Sequence, residues 1–434
     1  MSNLPEAFVK RMQSQLGNEL PAFLHAMDET PIRGIRINPL KSTSATACFT
    51  CSDPVLWEKN SWYLPEGSEA GSSAIHIAGA FYIQEPAAMI PAVVLDAKPG
   101  EIILDLCAAP GGKSTQIGCA MKGEGLLIAN EPVPKRAKTL SGNIERMGIP
   151  NAIVTCAWPE QLAERWPEAF DGVLVDAPCS GEGMFRRDPK TRDEWTHEKA
   201  AGCAERQRII LASAAKLVCP GGRLVYSTCT YNPDENEENV NWFIKTQPEF
   251  SIESFSLPGI DAHEGLFNCY PHRIKGEGQF IALFRRKGER KAVIPSVCSL
   301  PVATKEIRKA FMSAFPMLPE PTHLFGNTLI HMPEFPDIQG IRILRVGLHL
   351  GEIRGKNIFP DYAAALCMRQ PEIISLDLGM AEIGKYLAGE EIPGNTEGWT
   401  LIRYQGLSVG WGKGSGGKIK NHFPKGLRGN WYLP

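Results

Sequence analysis

The stretch Ile102-Ile103-Leu104-Asp105-Leu106-Cys107-Ala108-Ala109-Pro110-Gly111-Gly112-Lys113 decides the fold of this chain. Its apolar first half predicts a buried strand, and the small residues after it predict a tight turn into a helix from about Ser114. Strands and helices alternate beyond that point, which predicts an α/β fold with a doubly wound parallel sheet covered by helices on both faces. We expect strands at 102–106, 126–130, 152–156, 172–176 and 223–227, and helices at 5–27, 84–95, 135–147 and 199–218.

Residues 107–113, here called the glycine turn, are candidates for binding a ligand because the start of a helix favours negative charge. A P-loop needs Gly five residues before the Gly112–Lys113 pair, but Cys107 stands there, and the dinucleotide fingerprint G-x-G-x-x-G is absent. The remaining candidate is a ligand that joins a nucleoside to an amino acid, such as S-adenosylmethionine. Such a ligand needs an acid at the end of the next strand for its ribose hydroxyls, and Glu131 stands there. A tight turn without any ligand stays open.

Two cysteines follow two further predicted strands. The sequence Asp176-Ala177-Pro178-Cys179 ends one strand, and Ser227-Thr228-Cys229 ends another. Both ends face the same crevice as the glycine turn, because ligands in such sheets lie at the carboxyl ends of the strands. A buried cysteine is usually only a small apolar residue, but two of them at neighbouring strand ends suggest chemistry.

Methylation of a pyrimidine at C5 needs such an arrangement. A thiolate that adds to C6 raises the electron density at C5, which then attacks the methyl group of a sulfonium donor; this is covalent catalysis. The carboxylate of Asp176 is placed to hydrogen-bond the N3/N4 edge of cytosine. Methyltransferases that act on exocyclic amines carry an aromatic residue after Asp/Asn-Pro-Pro, where this chain has Cys179. The pattern therefore favours carbon over nitrogen as the methylated atom.

Together these three segments resemble the Nop/Sun family of RNA 5-methylcytosine methyltransferases. The segments RGIRINPLK at 33–41 and FYIQEPAAM at 81–89 resemble elements at the N-terminus of the family. The C-terminal region resembles the bacterial RsmF type, which ends in a PUA-like RNA-binding module. The resemblance implies a Rossmann-like core that depends on S-adenosylmethionine, a small N-terminal α/β extension and a mixed α+β C-terminal region.

The resemblance also implies residue roles. The nucleophile falls on Cys229, and the cysteine that assists product release falls on Cys179. The cofactor-binding positions fall on Cys107, Ala108, Ala109, Pro110, Gly111, Gly112, Lys113, Glu131 and Asp176. The second thiol, Cys229, distinguishes the RNA enzymes from DNA cytosine methyltransferases, so DNA is not expected as a partner.

The chain departs from the family near the expected adenine site. The family usually has an aspartate after its third strand, but here Trp158 stands at about that position. An aromatic ring there either stacks on adenine or packs into the core, and from the sequence we favour the core.

Composition sets the broad class of the protein. The chain has 434 residues, 43% hydrophobic and 22% charged, which is usual for globular proteins and excludes a disordered or fibrous class. We expect no membrane span, since no apolar run reaches about 18 residues, and a cytoplasmic location, since no export signal is recognisable. No metal is expected, because the pair Cys48 and Cys51 lacks two matching ligands.

Charge is concentrated at the C-terminus. Residues 398–434 carry six basic residues and no acidic residue, interleaved with aromatics. Basic side chains bind phosphates and aromatic rings stack on bases, so this tail either binds RNA or is simply solvated. The tail contains Arg403, Lys413, Lys418, Lys420, Lys425 and Arg428, with Trp399, Tyr404, Trp411, Phe423, Trp431 and Tyr432.

We divide the chain into an N-terminal extension (1–83), a methyltransferase domain (84–288), an intermediate region (300–370) and a PUA-like domain (371–434), with a linker at 287–299. The expected partner is structured RNA, either 16S ribosomal RNA or the small ribosomal subunit that contains it. Transfer RNA is the alternative substrate, and a non-catalytic RNA-binding assembly factor is the alternative function. The sequence does not reveal the oligomeric state.

Overall fold

The computed structural model describes residues 4–41, 53–289, 300–332, 337–368 and 374–431. Cys48, Cys51, Tyr432 and most of the predicted linker lie outside the described residues. Within those ranges, no helix combines the length and the apolar character needed to cross a bilayer.

The N-terminal region combines two helices with a small antiparallel sheet. Pairing of the central strand with both neighbours buries Ile35 and Phe81 in a shared core. The elements are α1 (Glu6–Leu16), α2 (Leu20–Asp28), β1 (Arg33–Ile37), β2 (Ser61–Leu64), α3 (Ala74–Ile77) and β3 (Phe81–Gln84), with strand order β2-β1-β3.

Two predictions for this region were wrong. The single helix expected over 5–27 is interrupted at Gly17, whose φ of +53° ends α1, because glycine enters this backbone region at little cost. The helix expected from Gln84 begins later, because Gln84 pairs with Gly34 in the sheet. Pro86 also disfavours helical backbone at the residue before it.

The central domain is built on a nine-stranded sheet, which confirms the predicted α/β fold. Its five middle strands are parallel, in the order β8-β7-β4-β5-β6. Their carboxyl ends carry Asp105, Asn130, Thr155, Asp176 and Thr228 along one edge. The strands are β4 (Ile102–Asp105), β5 (Leu126–Asn130), β6 (Ala152–Thr155), β7 (Phe170–Asp176) and β8 (Val218–Thr228).

Helices cover both faces of this sheet. Successive strand residues point to opposite faces, so Ile103 joins one apolar core with α4 to α6, and Leu104 joins another with α7, α9 and α10. The helices are α4 (Ile90–Leu95), α5 (Gly112–Met121), α6 (Pro134–Met147), α7 (Pro159–Arg165), α8 (Pro189–Asp193), α9 (His197–Leu217) and α10 (Glu237–Thr246).

Antiparallel strands extend the sheet at both edges. Beyond β8 the order continues to β13 and β12, and β9 also pairs with β13. At the other edge, Ile343–Val346, from the intermediate region, pairs with β6. The strands that follow the parallel set are β9 (Phe250–Ile252), β10 (Phe255–Leu257), β11 (Ile260–Ala262), β12 (Leu266–Cys269) and β13 (Gln279–Arg286).

The C-terminal part forms two further sheets, in the orders β14-β15-β17-β18 and β19-β21-β22-β23-β20. This arrangement agrees with the predicted mixed α+β region. Its elements are α11 (Lys305–Ala314), β14 (His323–Phe325), β15 (Thr328–His331), β16 (Ile343–Val346), β17 (Leu348–Arg354), β18 (Asn357–Pro360), α12 (Tyr362–Cys367), β19 (Ser375–Asp377), α13 (Met380–Ala388), β20 (Ile392–Pro393), β21 (Gly398–Tyr404), β22 (Leu407–Ser415) and β23 (Lys418–Asn421).

Candidate active site

The glycine turn lines a cavity of about 290 Å³ at the carboxyl edge of the parallel strands. Gly111 has a φ of +112°, which lets the chain turn sharply before α5 begins at Gly112. A side chain on Gly111 would also approach Leu140 Cδ1 to 3.1 Å. Arg136 donates to the carbonyl of Ala109 at 3.0 Å, and Asn143 donates to that of Pro110 at 2.8 Å. The turn is therefore held rigidly from its outer side.

Asp176 and Lys113 form an ion pair inside this cavity. Lys113 Nζ lies 2.7 Å from Asp176 Oδ2, while Ser227 Oγ and Gln279 Nε2 donate to Oδ1 at 2.7 and 3.3 Å. Burial is the largest single influence and would lower the pKa of Lys113, but the charge and hydrogen bond of Asp176, together with Cys229 and Asp105 nearby, raise that pKa. Lys113 is thus charged, and the carboxyl group of Asp176 is fixed in orientation by three partners.

Asp105, the last residue of β4, also lines the cavity. Its side chain is completely buried, and Ser114 Oγ donates to Oδ2 at 2.6 Å. Its other oxygen, Oδ1, is buried without a hydrogen-bond partner among the described residues. Burial raises the pKa of Asp105 to about 7. A buried acceptor without a donor is costly, which indicates that a donor on a ligand completes the site.

The two predicted thiols are in contact. Cys179 Sγ lies 3.2 Å from Cys229 Sγ, and the amide of Cys229 donates to Cys179 Sγ at 3.3 Å. The hydrogen bond to Cys229 and burial together raise the pKa of Cys179. Burial also raises the pKa of Cys107. Cys107 and Cys179 are therefore neutral thiols, whereas Cys229 lines the cavity beside the Asp176–Lys113 pair.

Glu131 lies directly after β5, beside the glycine turn. Its side chain is 2% exposed, accepts from the amide of Val133 at 2.9 Å and pairs with Arg136 at 3.1 Å. Arg136 also holds the carbonyl of Ala109. Glu131 is thereby connected to the turn through one arginine.

Known proteins of one kind match nearly the whole chain. Ribosomal RNA small subunit methyltransferase F of Cronobacter sakazakii is 31% identical over 98% of this chain and 96% of its own length. The protein of the same name from Escherichia coli is 32% identical with the same coverage. The chain belongs to the RsmF family of methyltransferases. This confirms the resemblance inferred from the sequence motifs.

Family models match this RsmF-family chain region by region. The 16S rRNA methyltransferase RsmB/F model covers residues 92–285, and the RsmF N-terminal domain covers 4–86. The first C-terminal domain of RsmF covers 308–368, and the RsmF PUA domain covers 374–429.

Solved structures agree with the fold. A methyltransferase homologue from Pyrococcus horikoshii is 29% identical, with a TM-score of 0.57 over 65% of this chain and 96% of that one. NSun6 from the same organism, at 22% identity and a TM-score of 0.56 over 66% of this chain and 99% of that one, shares the fold.

Trp158 is not a core residue, so our expectation from the sequence was wrong. The side chain is 63% exposed at the residue before α7. Its loop contacts the Glu131 loop, because Asn130 Oδ1 accepts from the amide of Ala157 at 3.2 Å and Glu131 donates its amide to the carbonyl of Thr155. Val133, which is 45% exposed, follows Glu131 in that loop.

Sequence reasoning missed several residues of the cavity. Asp105 was counted only as part of a strand, although its place at a strand end was a usable signal. Tyr82 and Gln84 reach the cavity from the N-terminal sheet, and Met184 reaches it from the loop after Cys179. Nothing in the local sequence indicates these contacts. No cluster that could hold a metal ion occurs among the described residues.

Proposed function

We propose that the chain transfers a methyl group from S-adenosylmethionine to C5 of a cytosine in 16S ribosomal RNA, through a transient bond between Cys229 and C6. One observation carries this proposal: Cys229 Sγ opens into the cavity of the glycine turn and lies 3.2 Å from Cys179 Sγ. Action on ribosomal RNA agrees with the expected cytoplasmic location. The proposal also includes the division of the chain into the four predicted regions 1–83, 84–288, 300–370 and 371–434.

The residues around the cavity fit S-adenosylmethionine. Its sulfonium group supplies an electrophilic methyl group when the molecule is bound. The unpaired Oδ1 of Asp105 would accept from the α-ammonium group. The close backbone of the glycine turn would hold the amino-acid part, and Glu131 would hold the ribose hydroxyls. A cavity of about 290 Å³, open to one side, admits a ligand of this class.

The side chains around the thiols support the covalent route. Asp176, fixed by Lys113, is available to the N3/N4 edge of a cytosine in the cavity. Cys229 attacks C6 as a thiolate. Because Cys179 keeps its proton, its S–H donates to the sulfur of Cys229. A base then removes the C5 proton, the electron pair of that C–H bond re-forms the C5–C6 double bond, and the C6–S bond breaks. The Cys179 S–H stabilises the departing Cys229 thiolate, which gives Cys179 its role in product release.

Two measurements test the function. Bisulfite mapping compares RNA from cells with and without the chain. Cells without it should lack a 5-methylcytosine in 16S RNA and none in transfer RNA. Loss from transfer RNA would favour the alternative substrate. Calorimetry should show binding of S-adenosylmethionine. Absence of binding at millimolar ligand would favour a non-catalytic assembly factor.

The C-terminal module supports RNA as the partner, although three of its aromatic residues do not act as expected. Tyr404, Trp411 and Phe423 are 4%, 2% and 1% exposed and form the core of this module, so they offer no stacking surface. Five of the six basic residues are exposed, and Arg403 is half-buried. Lys413 lies opposite Lys420, and Lys418 follows on the same face of the β22–β23 hairpin.

Replacing Lys413, Lys418 and Lys420 together by Gln should weaken RNA binding and leave the affinity for S-adenosylmethionine unchanged. The slope of log affinity against log salt should fall by about one for each phosphate that the variant no longer neutralises. A filter-binding titration at several salt concentrations measures both. The matched control replaces Lys98, Lys216 and Lys245, near the edge where the parallel strands begin. Equal behaviour of the two triple variants would contradict an RNA-binding role of the hairpin face. Deleting 398–434 is a poor test, because it removes buried Trp411.

Trp158 is expected to cover the adenine ring at the open end of the cofactor site. Stacking on an aromatic ring contributes roughly 1–3 kcal/mol, so Trp158→Ala should weaken S-adenosylmethionine binding about tenfold. Trp158→Phe should retain most of the affinity. Calorimetry measures the affinity, and quenching of tryptophan fluorescence on binding, lost in Trp158→Phe, reports the contact. Trp242→Ala, on α10, is the control. Unchanged affinity of Trp158→Ala would rule out the contact.

A further inference from the structure

Glu182 is a buried carboxylate that the proposed chemistry does not use. Its side chain is completely buried, three residues after Cys179. Trp195 Nε1 donates to Oε1 at 2.9 Å, and the amide of Tyr231 donates to Oε2 at 3.2 Å. Arg11 Nη2 pairs with the same Oε2 at 2.5 Å. Three donors from three separate parts of the chain therefore converge on one carboxylate.

These bonds join the two loops that carry the thiols. Tyr231 is two residues after Cys229, so the bond from its amide fixes the Cys229 loop to the Cys179 loop. The amide of Gly183 donates to the carbonyl of Cys229 at 2.9 Å. The hydroxyls of Ser180 and Thr230 lie 2.8 Å apart and add a third connection. This set of bonds connects the two loops from which the sulfurs project.

Helix α1 of the N-terminal region contacts the hydrogen-bonded residues of these two loops. Besides pairing with Glu182, Arg11 lies 5.5 Å from the ring centroid of Phe8 and 5.9 Å from that of Trp195. Gln15, one turn further on, donates to the carbonyl of Tyr231 at 3.1 Å. The helix thus contacts Tyr231 directly through Gln15 and indirectly through Glu182.

We propose that helix α1 sets the spacing of the two active-site thiols, with Arg11 as a positioning residue that acts through Glu182. Without the guanidinium group, Glu182 would be a buried carboxylate with fewer partners, which is strongly unfavourable. Rotation of Glu182 away from its remaining donors would then release the amide of Tyr231 and loosen the Cys229 loop. The value of this spacing for methylation rests on the proposed function, whereas the spacing itself does not.

Phenylarsine oxide measures the spacing without any RNA. In its hydrated form it exchanges two hydroxyl groups for two thiols, forms two arsenic–sulfur bonds and releases water, and it is captured fastest by thiols held close together. The wild-type chain should capture it at Cys179 and Cys229. The double variant Cys179→Ala/Cys229→Ala gives the background from other cysteines. Arg11→Met should slow capture about tenfold, because small displacements of reacting groups have effects of this order.

The same variants are then tested for covalent trapping on RNA that contains 5-fluorocytidine. Arg11→Met should slow formation of the adduct about tenfold and leave the affinity for S-adenosylmethionine unchanged, a split that general loss of folding would not produce. Arg11→Lys should restore part of both rates. The matched control is Glu19→Gln, which removes a different contact between the N-terminal helices and the central domain. This contact is the ion pair of Glu19 with Arg273 at 2.8 Å. It should behave as wild type.

Wild-type rates of capture and trapping in Arg11→Met would overturn the proposal. If Arg11→Met does not fold, Gln15→Ala decides, because it removes the bond to the carbonyl of Tyr231 and a longer bond from Arg11 Nε, and leaves the pair of Arg11 with Glu182 in place. It should slow capture, and an unchanged rate would again overturn the proposal. Failure of the wild-type chain to form an RNA adduct while it still captures the arsenical would count against the proposed function and leave the role of α1 intact.

Discussion

Replacing Cys229 by Ala is expected to abolish both methylation and the covalent RNA adduct, with a loss of at least about a thousandfold in rate. The reason is that C5 of cytosine is a poor nucleophile until a thiolate adds to C6. The neighbouring thiol cannot substitute, because burial still raises the pKa of Cys179 when the hydrogen bond to Cys229 is gone. Transfer of a labelled methyl group to RNA measures the rate, and denaturing electrophoresis detects the adduct.

Replacing Cys179 by Ala should give the opposite phenotype. The first bond to C6 still forms, but the leaving sulfur loses the hydrogen bond across 3.2 Å. A protein–RNA adduct that survives denaturation should therefore accumulate. Cys367→Ala, which changes a half-buried thiol on α12, should show neither effect. An adduct in Cys229→Ala and none in Cys179→Ala would reverse the assignment of the nucleophile.

The sequence predicted the parallel part of the sheet well, because each of these strands is a short apolar run with its own turn signal. The strand at Leu126–Asn130 agrees at both ends, and the helix expected at 135–147 differs by one residue. The antiparallel edges were not predicted. Strand Ile343–Val346 joins β6 across almost two hundred residues, and no local pattern encodes such a pairing.

The same distinction explains what could be predicted of the site. Cys179, Cys229 and the glycine turn stand at strand ends, and the topology of a parallel sheet brings such ends together. The contribution of Arg11 depends on how a distant helix packs, so its sequence neighbourhood gives no indication. Composition was misleading in the tail, because it does not distinguish the core residue Trp411 from a ring that faces solvent.

Replacing Asp105 by Asn is expected to weaken binding of S-adenosylmethionine by about 30- to 150-fold. The variant loses a buried, charge-assisted hydrogen bond to the α-ammonium group, and such bonds contribute roughly 2–3 kcal/mol. The remaining charges near the site, Asp176, Lys113 and Glu131, are unchanged in the variant. Calorimetry on the purified chain measures the affinity. The control is Glu253→Gln, which removes a carboxylate that pairs with Arg285 on the far edge of the sheet.

The pH dependence distinguishes a charge effect from a change of shape. Burial raises the pKa of Asp105 to about 7, so wild-type affinity should rise between pH 6 and 7.5 as the carboxyl ionises. This window ends just below the pKa of an α-amino group, about 7.7–8.0, so most of the ammonium charge is retained across it. The stability of the ligand-free fold should change with pH in the opposite direction. Because the folded carboxyl holds its proton more tightly than an unfolded one, whose pKa is about 3.9, stability falls as the pH rises from about 4 to 7. Asp105→Asn should flatten both slopes, and an affinity in that variant that still rises with pH would exclude Asp105 as the group that receives the ammonium.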